Sequence, residues 1–208
     1  MPKATLKHKL ALMGLYGVAY YFLYTLPNLT LYHTASYLPL TWIDHAVPLI
    51  PWTFLVYTSD YLLALIVIIL IQDKERFNSL ARMAFGVLIA CGAFFWFFPT
   101  VYPRPVYPDL HQPWLQNLLT FVSTYDTPGN CFPSHHIAVT AICTWCVRSF
   151  GRRTQMVFIL WALLVFASTL TTKQHYVIDI VGGMGVAFAV IFAHRFLYER
   201  VAVKPPIH

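Results

Sequence analysis

Apolar runs long enough to cross a bilayer recur along this chain. They leave little room for any fold but a bundle of membrane-spanning helices. About 20 apolar residues span the hydrocarbon as an α-helix, which satisfies its own backbone polar groups. Residues 10–31, 52–72, 80–99, 155–171 and 176–197 are runs of this kind. A sixth segment, 134–150, has an apolar part of only 137–147 and opens on Ser134-His135-His136. It reads as a span shielded by the other helices, with its polar start in a cavity. The expected fold is all-α, with six transmembrane helices in one domain over residues 1–208 and both termini cytoplasmic.

Composition agrees. Of the 208 residues 58% are hydrophobic and 11% charged, against about a quarter charged in soluble domains. The basic start and following apolar run also fit a signal peptide. That run is too long for a typical signal core, and no A-x-A-like site follows it, so a retained first span is expected. The formal net charge of +6 would suggest nucleic acid in a soluble protein. Here it encodes topology. With the N-terminus inside, Lys3, Lys7, Lys9, Lys74, Arg76, Arg82, Arg148, Arg152, Arg153, Arg195, Arg200 and Lys204 fall on the inner side. Only Arg104 and Lys173 fall outside, as the positive-inside rule prefers. The expected surroundings are the bilayer, with no nucleic-acid partner.

The connections differ in interest. Residues 32–51 carry no Lys or Arg and suit the headgroup region, and 73–79 read as a short charged loop. The longest polar stretch, 100–133, is of a length usually reserved for function or disorder. In it, Trp114, Leu115, Leu118 and Leu119 suit a short amphipathic helix on the membrane surface. Asp126-Thr-Pro-Gly reads as a turn. Asp60, inside the second run, is either a functional acid or one solvated or hydrogen-bonded near a helix end. His33 and His111 read as interfacial. Cys91, Cys143 and Cys146 read as buried small hydrophobes, and no disulfide framework is implied.

Three pieces share the expected outer face: Tyr102-Pro-Arg-Pro, Cys131-Phe-Pro-Ser-His-His, and residues 168–179. His175 and Asp179 are four apart, which on a helix start sets the carboxylate beneath the imidazole. That pairing fixes the tautomer and frees the other ring nitrogen. Pro133 and Ser134 open a helix whose first N–H groups suit an anion. Arg104 offers a planar fork for phosphate oxygens and Lys173 a point charge. Two cations, a helix N-terminus, two histidines and a carboxylate describe phosphoryl transfer. A metal held by His135, His136, His175 and Asp179 is the competing reading. It is awkward, because neighbouring helical side chains diverge by about 100°. A non-enzymatic lipid-binding protein is a further alternative.

These motifs resemble the type 2 phosphatidic acid phosphatase superfamily of integral membrane enzymes. That family carries K-x6-R-P, then P-S-G-H, then S-R-x5-H-x3-D, on six spans. Arg104-Pro105 matches the end of the first motif, and Pro133-Ser134-His135-His136 the second, with His135 where Gly is usual. Ser168, His175 and Asp179 match the third. The resemblance covers about residues 98–183. Phe97 stands where the first motif has Lys, and Thr169 where the third has Arg; Lys173 is a candidate replacement for one of them. F-P-S-x-H with T-K-Q-H-Y-x-x-D is similar to the inositol phosphorylceramide synthase-like branch, whose members transfer a headgroup to a lipid alcohol.

The resemblance implies a lipid phosphatase acting on a membrane lipid phosphate, or a phosphotransferase with a lipid alcohol acceptor. His175 would be the nucleophile, Asp179 its orienting group and His136 the acid for the leaving oxygen. Arg104, Lys173, Ser134 and the His135 backbone N–H would hold phosphate. No metal and no cofactor are expected. The expected location is a bacterial inner membrane, with the site facing the periplasm.

Overall fold

The structure is a computed structural model and describes residues 2–199. The inner placement expected for Arg200, Lys204 and the C-terminus falls outside the described residues. The first helical rod runs Leu6–Leu31. It comprises α1 (Leu6–Tyr20), a π-turn (Tyr21–Thr25) and α2 (Leu26–Leu31). There follow α3 (Trp42–Ala46), α4 (Phe54–Leu70), α5 (Lys74–Phe97), α6 (Pro113–Tyr125), α7 (His135–Cys146), α8 (Arg152–Thr171) and α9 (Val177–His194). Among the described residues, five helices are long and apolar enough to cross a membrane: Leu6–Leu31, Pro51–Leu70, Lys74–Phe97, Arg152–Thr171 and Val177–Tyr198. The sixth expected span, α7, has 12 residues and falls short on length.

Capping explains where the helices outrun the apolar runs. Thr5 Oγ1 accepts from His8 N, so the first helix starts before its apolar part. Asp73 accepts from Arg76 N at 2.9 Å, and Glu75 lies in the first turn. Residues 74–79 are therefore helical and not the charged loop expected. A capped N-terminus with an acid in its first turn favours helix even in a polar stretch.

Helix α7 packs against α4, α5, α8 and α9, and Ile137, Ala138 and Ile142 are fully buried. Being shielded, it tolerates a polar start at membrane depth. Helices in lipid associate by close packing and not by a hydrophobic drive, and the closest approach here is made by glycine. A Cβ on Gly183 would lie 2.6 Å from the Ser134 carbonyl oxygen, and one on Gly182 2.5 Å from the Phe132 ring. Ser134 N donates to the Asp179 carbonyl at 3.2 Å. The start of α7 is thus pressed onto the first turns of α9.

One end of the bundle gathers the N-terminal residues and the α4–α5 and α7–α8 connections. Ala4 N donates to the Gln72 carbonyl, and Arg76 reaches Ser149 at 3.1 Å. The other end carries Arg104, Lys173 and the long connections. These are tied by a two-residue parallel pairing of β1 (Ser36–Tyr37) with β2 (Thr100–Val101). Helix α6 forms where an amphipathic helix was expected. Its Leu119 and Val122 pack with Phe54 and Tyr57 at the start of α4, leaving Trp114 and Phe121 exposed. The four cysteines are free, three of them buried.

Candidate active site

The opening residues of α7 and α9 meet at the end of the bundle that carries Arg104 and Lys173. His175 precedes α9, and its Nδ1 lies 3.1 Å from Asp179 Oδ2. The same oxygen accepts from Tyr176 N at 2.9 Å. The carboxylate therefore caps the helix and orients the imidazole in one contact. His175 Nε2 points to Ser134 Oγ at 3.4 Å, and Ser134 Oγ also accepts from Ile137 N. The N–H groups of His135 and His136, in the first turn of α7, have no helical acceptor and follow directly on Ser134.

His136 forms a second dyad. Its Nδ1 is 2.7 Å from Asp60 Oδ2, and its Nε2 is 3.1 Å from Tyr57 OH. Tyr57 has one hydroxyl hydrogen, and it goes to Asp126 Oδ2 at 2.8 Å. Toward His136 the phenol is then an acceptor, so Nε2 carries a hydrogen, as does Nδ1 facing the carboxylate. With Asp60 and Asp126 as carboxylates, this pattern is met by a His136 that carries both protons, the form that can donate one. The two imidazoles lie 6.0 Å apart, centroid to centroid, inclined at 69°. All four members of the two dyads are buried.

Of the expected phosphate ligands, Ser134 and the α7 N–H groups adjoin His175. Arg104 braces the loop after α6 by donating to the Asp126 and Thr127 carbonyls. It lies 3.9 Å from the Asp126 carboxylate, and its Nε is buried without a hydrogen-bond partner. Lys173, at φ 55°, donates to the Asp44 and Val47 carbonyls. Burial holds its ammonium pKa below the ordinary value, against the pull of Asp44. The His135 side chain turns away toward α1. It meets Tyr16 OH at 3.1 Å and packs on the Tyr20 and Tyr24 rings. These tyrosines accommodate an imidazole where the family usually has none.

Cys131, His175 and Asp179 bring one potential metal ligand each within 4.8 Å. Burial pushes the Cys131 thiol well above its ordinary pKa, and its Sγ donates to the Pro128 carbonyl at 3.1 Å. Among the described residues, His135 and His136 enter no such cluster.

Four polar residues entered the site unassigned by sequence. Asp60 had been singled out without a partner. Asp126, read as a turn, accepts from Tyr57 and Tyr24. Tyr57 bridges His136 to Asp126. Asp44 accepts from Val177 N at 2.8 Å and from Thr41, so it steadies the start of α9 beside His175. Thr41-x-x-Asp44 is a capping-box pattern legible in sequence. The Tyr57 contact had no local signal.

Apolar spans around two buried histidine–carboxylate dyads define an integral membrane protein with a centre suited to phosphoryl transfer. The chain belongs to the PAP2 superfamily, whose family model matches residues 30–193. That membership supports phosphatase or phosphotransferase activity on lipid phosphates in general. No curated protein and no solved structure matches the chain.

Proposed function

We propose that the protein is a lipid phosphate phosphatase that works through a phosphohistidine, without metal or cofactor. The supporting observation is the pair of facing dyads with unlike hydrogen-bonding. His175 has one nitrogen fixed by Asp179 and the other facing the helix N-terminus. His136 has both nitrogens engaged as donors. His175 Nε2 attacks phosphorus as the bond to the lipid oxygen breaks, and His136 Nε2 gives that oxygen its proton. Water then adds to the phosphohistidine, loses its proton to the now neutral His136 and releases phosphate. Ser134, the α7 N–H groups and Arg104 hold the charge on the equatorial oxygens, while Lys173 fixes the loop that carries His175.

In this reading the site faces the extracytoplasmic side of a bacterial inner membrane. A second reading, headgroup transfer to a lipid alcohol, is favoured by one observation. F-P-S-x-H at 132–136 and T-K-Q-H-Y-x-x-D at 172–179 are similar to the synthase-like branch, while Phe97 and Thr169 stand where the hydrolase motifs have Lys and Arg. The two differ in whether water or an alcohol reaches the phosphohistidine. Purified protein incubated with a panel of lipid phosphates and phospholipids, with and without a lipid alcohol, separates them. Free phosphate supports hydrolysis, a new phospholipid supports transfer, and neither product from any substrate overturns both.

A further inference from the structure

The first rod packs on α5, whereas α4 packs on α7 and α8. The seam between the rod and α4 holds two cavities. The one at the site end is about 410 Å³ and is lined by Tyr20, Tyr24 and Asn28 on one side and Tyr57, Thr58 and Tyr61 on the other. The other, deeper in the bundle, is about 200 Å³ and is lined by apolar residues including Leu12, Met13, Ala64 and Ile68. In an ideal α-helix, side chains four apart drift by about 40°. The π-turn between Tyr20 and Asn28, with one more residue per turn, absorbs that drift and keeps Tyr20, Tyr24 and Asn28 on the seam.

The upper cavity borders the proposed acid. Tyr57 OH is 3.1 Å from His136 Nε2, and the Tyr61 ring centroid is 5.9 Å from that imidazole. The proton of His136 is therefore aimed toward the seam. In an in-line displacement the leaving oxygen departs opposite the nucleophile, here away from His175. One polar group in this wall is unspent. Asn28 is buried, its Oδ1 accepts from Thr127, and its Nδ2 has no hydrogen-bond partner. A buried donor left unpaired costs free energy unless a ligand supplies an acceptor.

We infer that the seam between the first rod and α4 seats the leaving lipid alcohol. Asn28 Nδ2 donates to a carbonyl oxygen a few bonds from the cleaved phosphoester, and the hydrocarbon chain occupies the deeper apolar cavity. This rests on the proposed reaction and narrows its substrate. The lipid carries an ester or amide carbonyl near the phosphate, as glycerolipids and sphingolipids do. A polyprenyl phosphate, with no second oxygen donor or acceptor in its alcohol, leaves Asn28 unpaired.

The test compares kcat/KM for phosphatidate, ceramide phosphate, a polyprenyl phosphate and water-soluble p-nitrophenyl phosphate. The wild type is expected to prefer one carbonyl-bearing lipid over the polyprenyl phosphate by about 10-fold or more, the size expected when a buried donor goes unpaired. Which of the two carbonyl lipids leads identifies the source. Asn28→Asp keeps the acceptor for Thr127 and removes the donor, so that preference should collapse. Thr58→Trp, which fills the upper cavity, should lower the ratio of lipid to p-nitrophenyl phosphate turnover by about 10-fold. Equal turnover of the polyprenyl phosphate, or an unchanged preference in Asn28→Asp, overturns the inference.

A photoactivatable phosphatidate tests the seat without turnover. Cross-links within residues 20–29 and 57–64, lost in Thr58→Trp, support it, and cross-links confined to other segments overturn it. An enzyme that labels there but releases no phosphate would sink the proposed reaction and leave the lipid seat standing.

Discussion

His136 Nδ1 and Asp60 Oδ2, 76 residues apart in the chain, lie 2.7 Å from each other in the interior of the bundle. The contact brings an acid from α4 onto the histidine proposed to protonate the leaving oxygen. If His136 is the acid, Asp60→Asn weakens proton donation and spares the nucleophile. Turnover of an alkyl phosphate should fall on the order of 10²-fold, because its alkoxide needs the proton. Turnover of p-nitrophenyl phosphate should fall far less. Asp179→Asn should depress both substrates alike. The measurement is the ratio of the two rates in each mutant, and a selective loss in Asp179→Asn in place of Asp60→Asn would reverse the two histidines.

Gly183 sets the distance between the dyads' helices. A methyl group there meets the Ser134 carbonyl at 2.6 Å and the Ile137 Cβ at 2.9 Å, neither the end of a flexible side chain. Gly183→Ala should cost about 1–3 kcal/mol as overpacking and shift Ser134 and the α7 N–H groups away from His175. Thermal unfolding in detergent would show the first effect, and kcat the second. Gly185, where an added Cβ would meet nothing within 4 Å outside its own stretch of helix, is the control: Gly185→Ala should leave kcat unchanged and the unfolding temperature unchanged or slightly raised, since Ala favours a helix over Gly by about 1 kcal/mol.

The spans and the third motif were legible because each is local. Apolar run length marks a helix in lipid, and His175 and Asp179 sit one turn apart. The charge asymmetry also marked the end of the bundle that carries the site. Asp60 was visible as an anomaly, a carboxylate inside an apolar run, but its partner lies on another helix. No sequence spacing between α4 and α7 encodes that register. Asp126 lies in a bend, as Asp-Thr-Pro-Gly predicts, but a turn signal says nothing of the partners its side chain meets on the first rod and α4. The start of α5 departs from the expected loop because the Asp73 cap carries the helix into a charged stretch. The tyrosine wall of the first rod was hidden, since tyrosine in a span reads as interface.

Asp44 gives a pH dependence. Its burial raises the carboxyl pKa, but hydrogen bonds from Thr41 and the Val177 N–H outweigh that and hold it below the ordinary value. A carboxylate depressed in the fold stabilises it above the ordinary Asp value of about 3.9. That contribution is lost as pH falls toward the lower native value. Asp44→Ala should therefore be less stable than wild type at neutral pH, with the difference shrinking in acid. Since Asp44 holds the start of α9, kcat should fall as well. Unfolding midpoints of both proteins at pH 7 and below pH 4 check the sign; a difference that grows in acid contradicts it.

Metal dependence separates the two chemistries that the residues around His175 permit. The hydrogen-bonded dyads favour phosphoryl transfer to histidine. Full activity is expected in EDTA. Vanadate, which mimics the trigonal-bipyramidal phosphoryl group, is expected to inhibit competitively, bound by the α7 N–H groups and Arg104. Activity lost to the chelator and restored by Zn²⁺ would assign Cys131, His175 and Asp179 to a metal instead. Cys131→Ser would then be inactive, whereas a thiol that serves only packing and one hydrogen bond leaves most of the activity in place.

Orientation is the remaining consequence of the charge pattern. Arg104 and Lys173 lie at the site end, and the connection carrying Lys74 and Arg76 lies at the other with the N-terminal residues. Cationic segments resist translocation, so the end with Lys3, Lys74 and Arg76 should be cytoplasmic. Asp109 and Asn78 lie in segments at opposite ends of the bundle and suit single-cysteine labelling in a background free of other cysteines. In intact cells an impermeant maleimide should modify a cysteine at 109 and not one at 78, until the membrane is opened. A water-soluble phosphate monoester should likewise be hydrolysed by intact cells without uptake, because the dyads open on the same side as Asp109. Labelling at 78 from outside, with 109 protected, would invert the protein and place the dyads in the cytoplasmic leaflet.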